Sequence, residues 1–194
     1  MTAAWDGCSD FYEEDEPLDV LLAIADKGPH AVTGRPPSVV DVAESLLERL
    51  GGEVDGWKLE KLCYLVQAKH LALTGLPAFL EPIEAWTHGP VVDRLYQEHK
   101  HQQSIRTVHG DARIAEKDDT ISFVIDAVVR EYGNWTGRQL RELTHNQQPW
   151  LEARRGLAPT ERSRRRISPG TMREHFELQE QLPDDDLEDD CLSQ

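Results

Sequence analysis

The sequence has few cysteines and no long apolar run. Its three cysteines, Cys8, Cys63 and Cys191, are widely separated and form no Cys-x-x-Cys pair, so neither a disulfide framework nor a zinc ribbon is indicated. Cys63 lies within an apolar helical pattern, which predicts a small buried hydrophobic side chain. No apolar stretch approaches the roughly 20 residues of a membrane-spanning helix, and the N-terminus lacks the basic and apolar regions of a signal peptide. These absences predict a cytoplasmic protein that does not enter a membrane.

The sequence also lacks recognisable catalytic motifs. It contains no phosphate-binding loop, no Gly-x-Ser-x-Gly elbow and no His-Glu-x-x-His helix. His99, His101 and His109 come nearest to a metal cluster, but on one helix the first two would point about 200° apart. We therefore expect no enzyme activity, no metal site and no cofactor.

Basic residues are missing from both ends of the chain. Residues 1–19 contain seven acids and residues 177–194 contain eight, with no Lys or Arg in either stretch. Together they account for the whole formal charge of −15, so the centre is electrically balanced. Runs of like charge usually stay disordered, and they serve either as solubilising ends or as interaction tails.

Arginine is concentrated near the end of the balanced region. Such a cluster can neutralise DNA phosphates, contact a protein partner, or balance the acidic ends as an exposed loop. The acidic total opposes long-range attraction to DNA, which disfavours nucleic acid as a partner. The six arginines are Arg154, Arg155, Arg162, Arg164, Arg165 and Arg166.

Apolar periodicity and capping residues predict a mostly helical domain. Gly89 and Pro90 are predicted to open one helix, with Pro90 at its first position. The stretch 110–119 is predicted to be a loop. Short strands are predicted within 79–86 and at 104–108. Further helices are predicted at 17–25, 38–50, 57–74, 120–132, 136–144, around 149–151, and at 168–181.

The predicted organisation has three parts. Residues 1–35 form an acidic extension and a linker rich in Gly and Pro. Residues 36–181 form a compact, mostly α domain with a minor pair of short β-strands. Residues 182–194 form an acidic, disordered tail.

Three ordered motifs in the central region resemble those of one known family. Residues 58–64 read KLEKLCY and begin a helix that ends at Gly75. Residues 82–92 read PIEAWTHGPVV and are followed by Tyr96. LTH and PW then occur at 143–145 and 149–150. Together these motifs, over about residues 38–155, are similar to the Panacea (SocA-like) domain.

The motif residues have two interpretations that the sequence leaves open. Each polar side chain either makes a structural hydrogen bond or contacts a partner, and Trp86 is expected to anchor the core. The residues of the family motif with a possible partner contact are Lys58, Lys61, Tyr64, Gln67, Trp86, His88, Gly89, Pro90, Tyr96, Thr144, His145 and Trp150.

The resemblance implies an antitoxin of a bacterial toxin–antitoxin system. Panacea domains are encoded beside diverse toxins in bacteria and prophages, including alarmone-synthetase-like toxins, with a role in phage defence. The expected mechanism is direct, type II-like binding of the toxin encoded by the adjacent gene. Two alternatives remain: a proteolytic adaptor that delivers the toxin to a ClpXP-type protease, and a DNA-binding autoregulator of its own operon.

Overall fold

The computed structural model describes residues 35–180, excluding the side chain of Glu180. The predicted helix at 17–25 and the predicted disorder of the acidic ends lie outside the described residues. The mostly helical fold class is confirmed, since eight helices and one short antiparallel sheet make up the regular structure of the described part. The exact domain boundaries stay a prediction.

One long helix organises the domain. Helix α2, Gly56–Thr74, begins after Asp55, whose carboxylate accepts a hydrogen bond from the Lys58 backbone N–H at 2.9 Å. It ends at Gly75, which has a φ of 73°, the left-handed conformation typical of a helix stop. Most of the other helices pack against α2, and its middle is buried on every side. Cys63 is fully buried there, as predicted.

Two further helices pack against α2, and the sequence predicted both of them, at 38–50 and 120–132. Helix α1, Val39–Leu50, begins with a cap in which the Asp41 carboxylate accepts hydrogen bonds from the backbone N–H and hydroxyl of Ser38. Helix α5, Asp119–Tyr132, begins at Asp118, whose carboxylate accepts from two backbone N–H groups of the first turn.

The C-terminal part of the domain also packs against α2. Helix α6, Gly137–His145, carries the predicted Thr136 capping box, and helix α7, Gln148–Ala153, follows it directly. The final helix α8, Pro169–Glu180, packs on α2 through the buried side chains of Met172 and Phe176. The sequence left the place of this last helix open, and the structure includes it in the core.

The prediction that Gly89 and Pro90 open a helix is wrong. Strands β1, Glu84–Trp86, and β2, Gly89–Val91, form an antiparallel hairpin in which Ala85 lies opposite Pro90. Helix α3, Asp93–His99, begins only after this hairpin. Gly89 has a φ of 107°, a conformation that favours glycine. Proline is tolerated in β2 because an edge strand has one side without a ladder partner.

The end of the arginine cluster extends this small sheet. The Ala85 N–H donates to the Arg165 carbonyl, and the Ile167 N–H donates to the Ile83 carbonyl, each at 2.8 Å. Strand β1 therefore has hydrogen-bonded neighbours on both sides. These bonds hold the segment at 160–167 against the hairpin.

Two other local predictions are corrected. In the predicted strand at 104–108, only Ile105 pairs with another segment, through a single bridge to Val54. The predicted loop at 110–119 contains a short helix α4, Ala112–Glu116, which begins after Asp111. The aspartates that suggested a loop include two helix caps, Asp111 and Asp118. In the described part of the chain, no helix is both long and apolar enough to cross a membrane.

Candidate partner-binding cleft

An open cleft of about 1380 Å³ lies where five segments of the domain meet. Its walls come from the first turns of α2 and α6, the β1–β2 hairpin, α3 with the residues after it, and the segment at 160–164. Its aromatic lining consists of Trp57, Trp86 and Tyr96, with His88 beside them. We call this region the aromatic cleft.

Polar side chains on α2 form hydrogen bonds with backbone groups that are distant in the sequence. Lys58 Nζ donates to the Gly133 carbonyl at 2.6 Å, and Lys61 Nζ donates to the Pro90 carbonyl at 2.7 Å. Gln67 donates to the Phe79 carbonyl and accepts from the backbone N–H of Phe79. These side chains satisfy carbonyl and N–H groups that would otherwise be buried without partners. In this structure three of the polar motif residues therefore stabilise the scaffold.

Lys61 is the most deeply buried of these three side chains, with 1% of its surface exposed. Burial lowers its pKa from 10.5 to about 8, because an ammonium group loses hydration in an apolar environment. Gly89 packs directly on its side chain, since a Cβ at this glycine would lie 2.6 Å from Lys61 Cε. The Lys61–Pro90 hydrogen bond and this close contact together fix the hairpin against α2.

Glu60 links α2 to both ends of α3. One carboxylate oxygen accepts from the Val92 N–H at 2.9 Å, and the other lies 2.9 Å from His99 Nε2. Glu60 and His99 are 3% and 6% exposed. Glu60 was not among the residues singled out in the sequence. Its position between the core residues Leu59 and Leu62 is the one sequence feature that indicates its burial.

His145 and Trp150 form a stacked pair behind the hairpin. Their ring centroids are 4.2 Å apart with an interplanar angle of 13°, and Trp150 Nε1 donates to the Trp86 carbonyl at 3.0 Å. Burial, and then the nearby Arg141 guanidinium, lower the pKa of His145 to about 4. The imidazole is therefore neutral near pH 7. Thr144 is also buried, and its hydroxyl donates to the Leu140 carbonyl within α6.

Tyr64 lies in the core rather than on the aromatic cleft. Its side chain is fully buried and meets Phe176 edge-on, with ring centroids 6.2 Å apart. Its hydroxyl makes no hydrogen bond to the described residues. Burial raises the pKa of Tyr64, so the phenol stays protonated. Tyr64 therefore reaches no surface of the domain.

The aromatic side chains of the cleft are partly exposed. Trp57 is 46% exposed, with His88 at a centroid distance of 5.6 Å and the Arg141 guanidinium 5.5 Å from the ring. Trp86 meets Tyr96 edge-on at 4.9 Å. The prediction that Trp86 anchors the core is wrong, because this residue forms part of the cleft wall and is only half-buried. Trp57, which was not singled out in the sequence, is more exposed than Trp86 or Tyr96.

The structure divides the arginine cluster into two kinds of residue. Arg154 is buried, and its guanidinium donates to the backbone carbonyls of Ala85 and Glu161 at 3.0 and 2.8 Å. It holds the segment at 160–167 in place and presents no free surface to a nucleic acid. Arg162 and Arg164 are exposed and line the aromatic cleft.

The histidines that came nearest to a metal cluster have other contacts. His99 faces Glu60, whereas His109 Nδ1 lies 2.7 Å from the Glu98 carboxylate. Among residues 35–180, no group of three or more His, Cys, Asp or Glu side chains is arranged to hold a metal ion.

A family model, described as antitoxin SocA-like, Panacea domain, matches residues 59–151. The chain therefore contains a Panacea-like domain. The match runs from the first turn of α2 to α7 and so includes the hairpin and α3. It is narrower at both ends than the predicted extent of 38–155, and Lys58 lies just before it. No curated protein and no solved structure matches the chain significantly.

The match to the Panacea domain supports an antitoxin role and implies a toxin as partner in general terms. Two thirds of the residues that line the aromatic cleft lie within the matched region. Asp55, Gly56 and Trp57 come just before this region, and Thr160, Arg162, Ser163 and Arg164 come after it. Which of the motif residues contact a partner stays a prediction.

Proposed function

We propose that this chain is an antitoxin that neutralises its cognate toxin by direct binding, and that the aromatic cleft is part of the contact surface. The observation that carries this proposal is the cleft itself, which presents Trp, Tyr and Arg side chains at a surface of a Panacea domain. Trp, Tyr and Arg are enriched among the few residues that contribute most of the binding energy of protein interfaces.

In the proposed complex, this chain inhibits the toxin by binding and catalyses no reaction. The polar groups around the cleft that would be candidates for catalysis already have structural partners: Lys61 is bonded to Pro90, and Glu60 to Val92 and His99. We propose a non-enzymatic inhibitor that binds in the cytoplasm and needs no cofactor. Alarmone-synthetase-like toxins remain among the proposed partners.

The first experiment is co-expression with the protein encoded by the adjacent gene, scored for growth rescue and for recovery of a stable complex. The purified proteins are then mixed without any protease. Neutralisation in this mixture supports direct binding. Rescue that requires ClpXP would instead establish the proteolytic adaptor, and loss of operator binding on substitution of Arg162 to Arg166 would establish a DNA-binding regulator.

A variant of Trp57 tests the contact surface. Trp57→Ala is expected to weaken toxin binding by about 30-fold or more, the effect of truncating an interface hot spot. Its thermal stability should change little, because the ring is 46% exposed. Leu80→Ala is the matched control, since Leu80 is 72% exposed and lies outside the cleft. Equal toxin affinity for both variants would place the contact surface elsewhere.

A further inference from the structure

The rim of the aromatic cleft is basic in a protein that is otherwise acidic. Four exposed basic side chains line it, while Asp55 is its exposed acid and already caps α2. The described domain contains 22 Asp and Glu residues against 20 Lys and Arg residues, so the positive charge is local to the cleft. The four bases are Lys100, Arg138, Arg162 and Arg164.

The arginines of this rim retain unused hydrogen-bonding capacity. The Arg162 side chain makes no hydrogen bond or ion pair with the residues at 35–180. Arg138 contacts Glu142 at 3.3 Å and Arg164 contacts Asp93 at 3.4 Å, both as exposed pairs. Such pairs contribute little to stability and exchange readily. Each guanidinium therefore remains available to a carboxylate, which it can bind through two parallel hydrogen bonds.

The size and walls of the cleft favour a polypeptide segment over a small molecule. Its volume of about 1380 Å³ exceeds the roughly 300 to 1,000 Å³ of typical small-molecule pockets. The lining includes Trp57, Trp86 and Tyr96, whose rings provide apolar area for a side chain of the occupant. The occupant should therefore combine negative charge at the rim with an apolar group in the centre.

We propose that the aromatic cleft receives an acidic segment of the toxin, whose carboxylates pair with Arg138 and Arg162 and whose apolar or aromatic side chain packs between Trp57 and Trp86. This inference rests on the proposed direct binding and specifies its chemistry. The bound segment would cover these carboxylate–guanidinium pairs, and the lower local dielectric would strengthen them. The rim charges also accelerate encounter with an acidic surface.

Charge reversal tests this proposal on the full-length protein. The double variant Arg138→Glu and Arg162→Glu is compared with a control that makes the same charge change outside the cleft, Lys117→Glu and Arg130→Glu. Toxin affinity is measured at low and at physiological salt, after circular dichroism has shown that both variants fold. We expect the cleft variant to bind about 30-fold or more weakly and the control within about threefold of wild type.

The outcomes separate this inference from the proposed function. Failure of the wild-type protein to bind or neutralise the toxin would overturn direct binding and the inference with it. Wild-type binding that both double variants retain would overturn the acidic segment alone. The same is true if the cleft variant loses binding to a single-stranded RNA oligonucleotide while its toxin affinity is unchanged.

Cross-linking identifies the occupant directly. A photo-reactive phenylalanine analogue replaces Trp57, and the peptide of the toxin that becomes attached is determined by mass spectrometry. An acidic peptide with an apolar residue at the attachment point is the expected result. A basic or uncharged peptide would overturn the proposal, even if Trp57 contributes to affinity.

Discussion

Replacement of Glu60 by alanine should destabilise the domain strongly, because this carboxylate joins α2 to both ends of α3. In the variant, the Val92 N–H and the His99 ring lose the partners that now lie 2.9 Å away. Each buried polar group left without a partner costs about 1 to 3 kcal/mol. Because the carboxylate is 3% exposed, water does not replace it easily. We expect a total loss of about 3 to 5 kcal/mol.

Glu60→Gln distinguishes hydrogen-bond geometry from cavity formation. The amide keeps the volume of the carboxylate and retains one oxygen for the Val92 N–H. Its NH₂ group then faces His99 Nε2, which can accept a hydrogen bond when the ring proton is on Nδ1. This variant should therefore lose only about 1 kcal/mol. A surface substitution, Glu177→Ala, removes the exposed Arg173 pair on α8 and should cost about 0.5 kcal/mol or less.

Urea denaturation near pH 7, followed by circular dichroism and tryptophan fluorescence, measures all three variants. Coincidence of the two signals checks that unfolding is two-state. A loss of less than about 1 kcal/mol for Glu60→Ala would refute the role assigned to this link. Because α3 also carries Tyr96, which lines the aromatic cleft, the same variant should weaken toxin binding.

Urea denaturation of further variants tests three other features. Burial lowers the pKa of Lys61 from 10.5 to about 8, so between these pH values the unfolded chain binds more protons than the folded chain. Wild-type stability should therefore gain about 3 kcal/mol from this group between pH 8 and 10.5, and Lys61→Met should lose that gain. Gly89→Ala should cost at least about 2 kcal/mol through its clash and positive φ, whereas the exposed Gly52→Ala should be nearly neutral; equal costs would contradict this. Phe176→Ala should cost about 3 to 5 kcal/mol and Leu178→Ala under about 0.5 kcal/mol, because these side chains are 2% and 64% exposed; a small loss for Phe176 would mean that α8 is not part of the core.

Short motifs gave the wrong secondary structure where one local pattern is compatible with two conformations. Gly-Pro can start a helix or fill an edge strand, and the residues around Pro90 satisfy either pattern. The choice depends on contacts with Lys61 in α2 and Ala85 in β1. Likewise, the polar residues around Asp111 are compatible with a loop. The short helix α4 forms where Ala112 and Ala115 are buried, close to α1.

The candidate site was predictable only in part. Motif resemblance identified Trp86, His88 and Tyr96, which line the cleft, but it also included Tyr64 and Gln67, which are buried. Sequence similarity marks residues that a family shares, and a shared residue can serve the scaffold as well as a surface. Trp57 belongs to none of the three motifs.

The sequence by itself determined the long helices, their caps and stops, the acidic character of the ends and the resemblance to the Panacea domain. These features depend on residues within a few positions of one another, through helical periodicity and capping hydrogen bonds. Only the tertiary structure decided that Arg154 is buried while Arg162 is exposed, that Glu60 joins two helices, and that one basic aromatic cleft exists. The burial and electrostatic environment of these residues depend on contacts between segments far apart in the chain. Local sequence patterns do not show which segments come into contact.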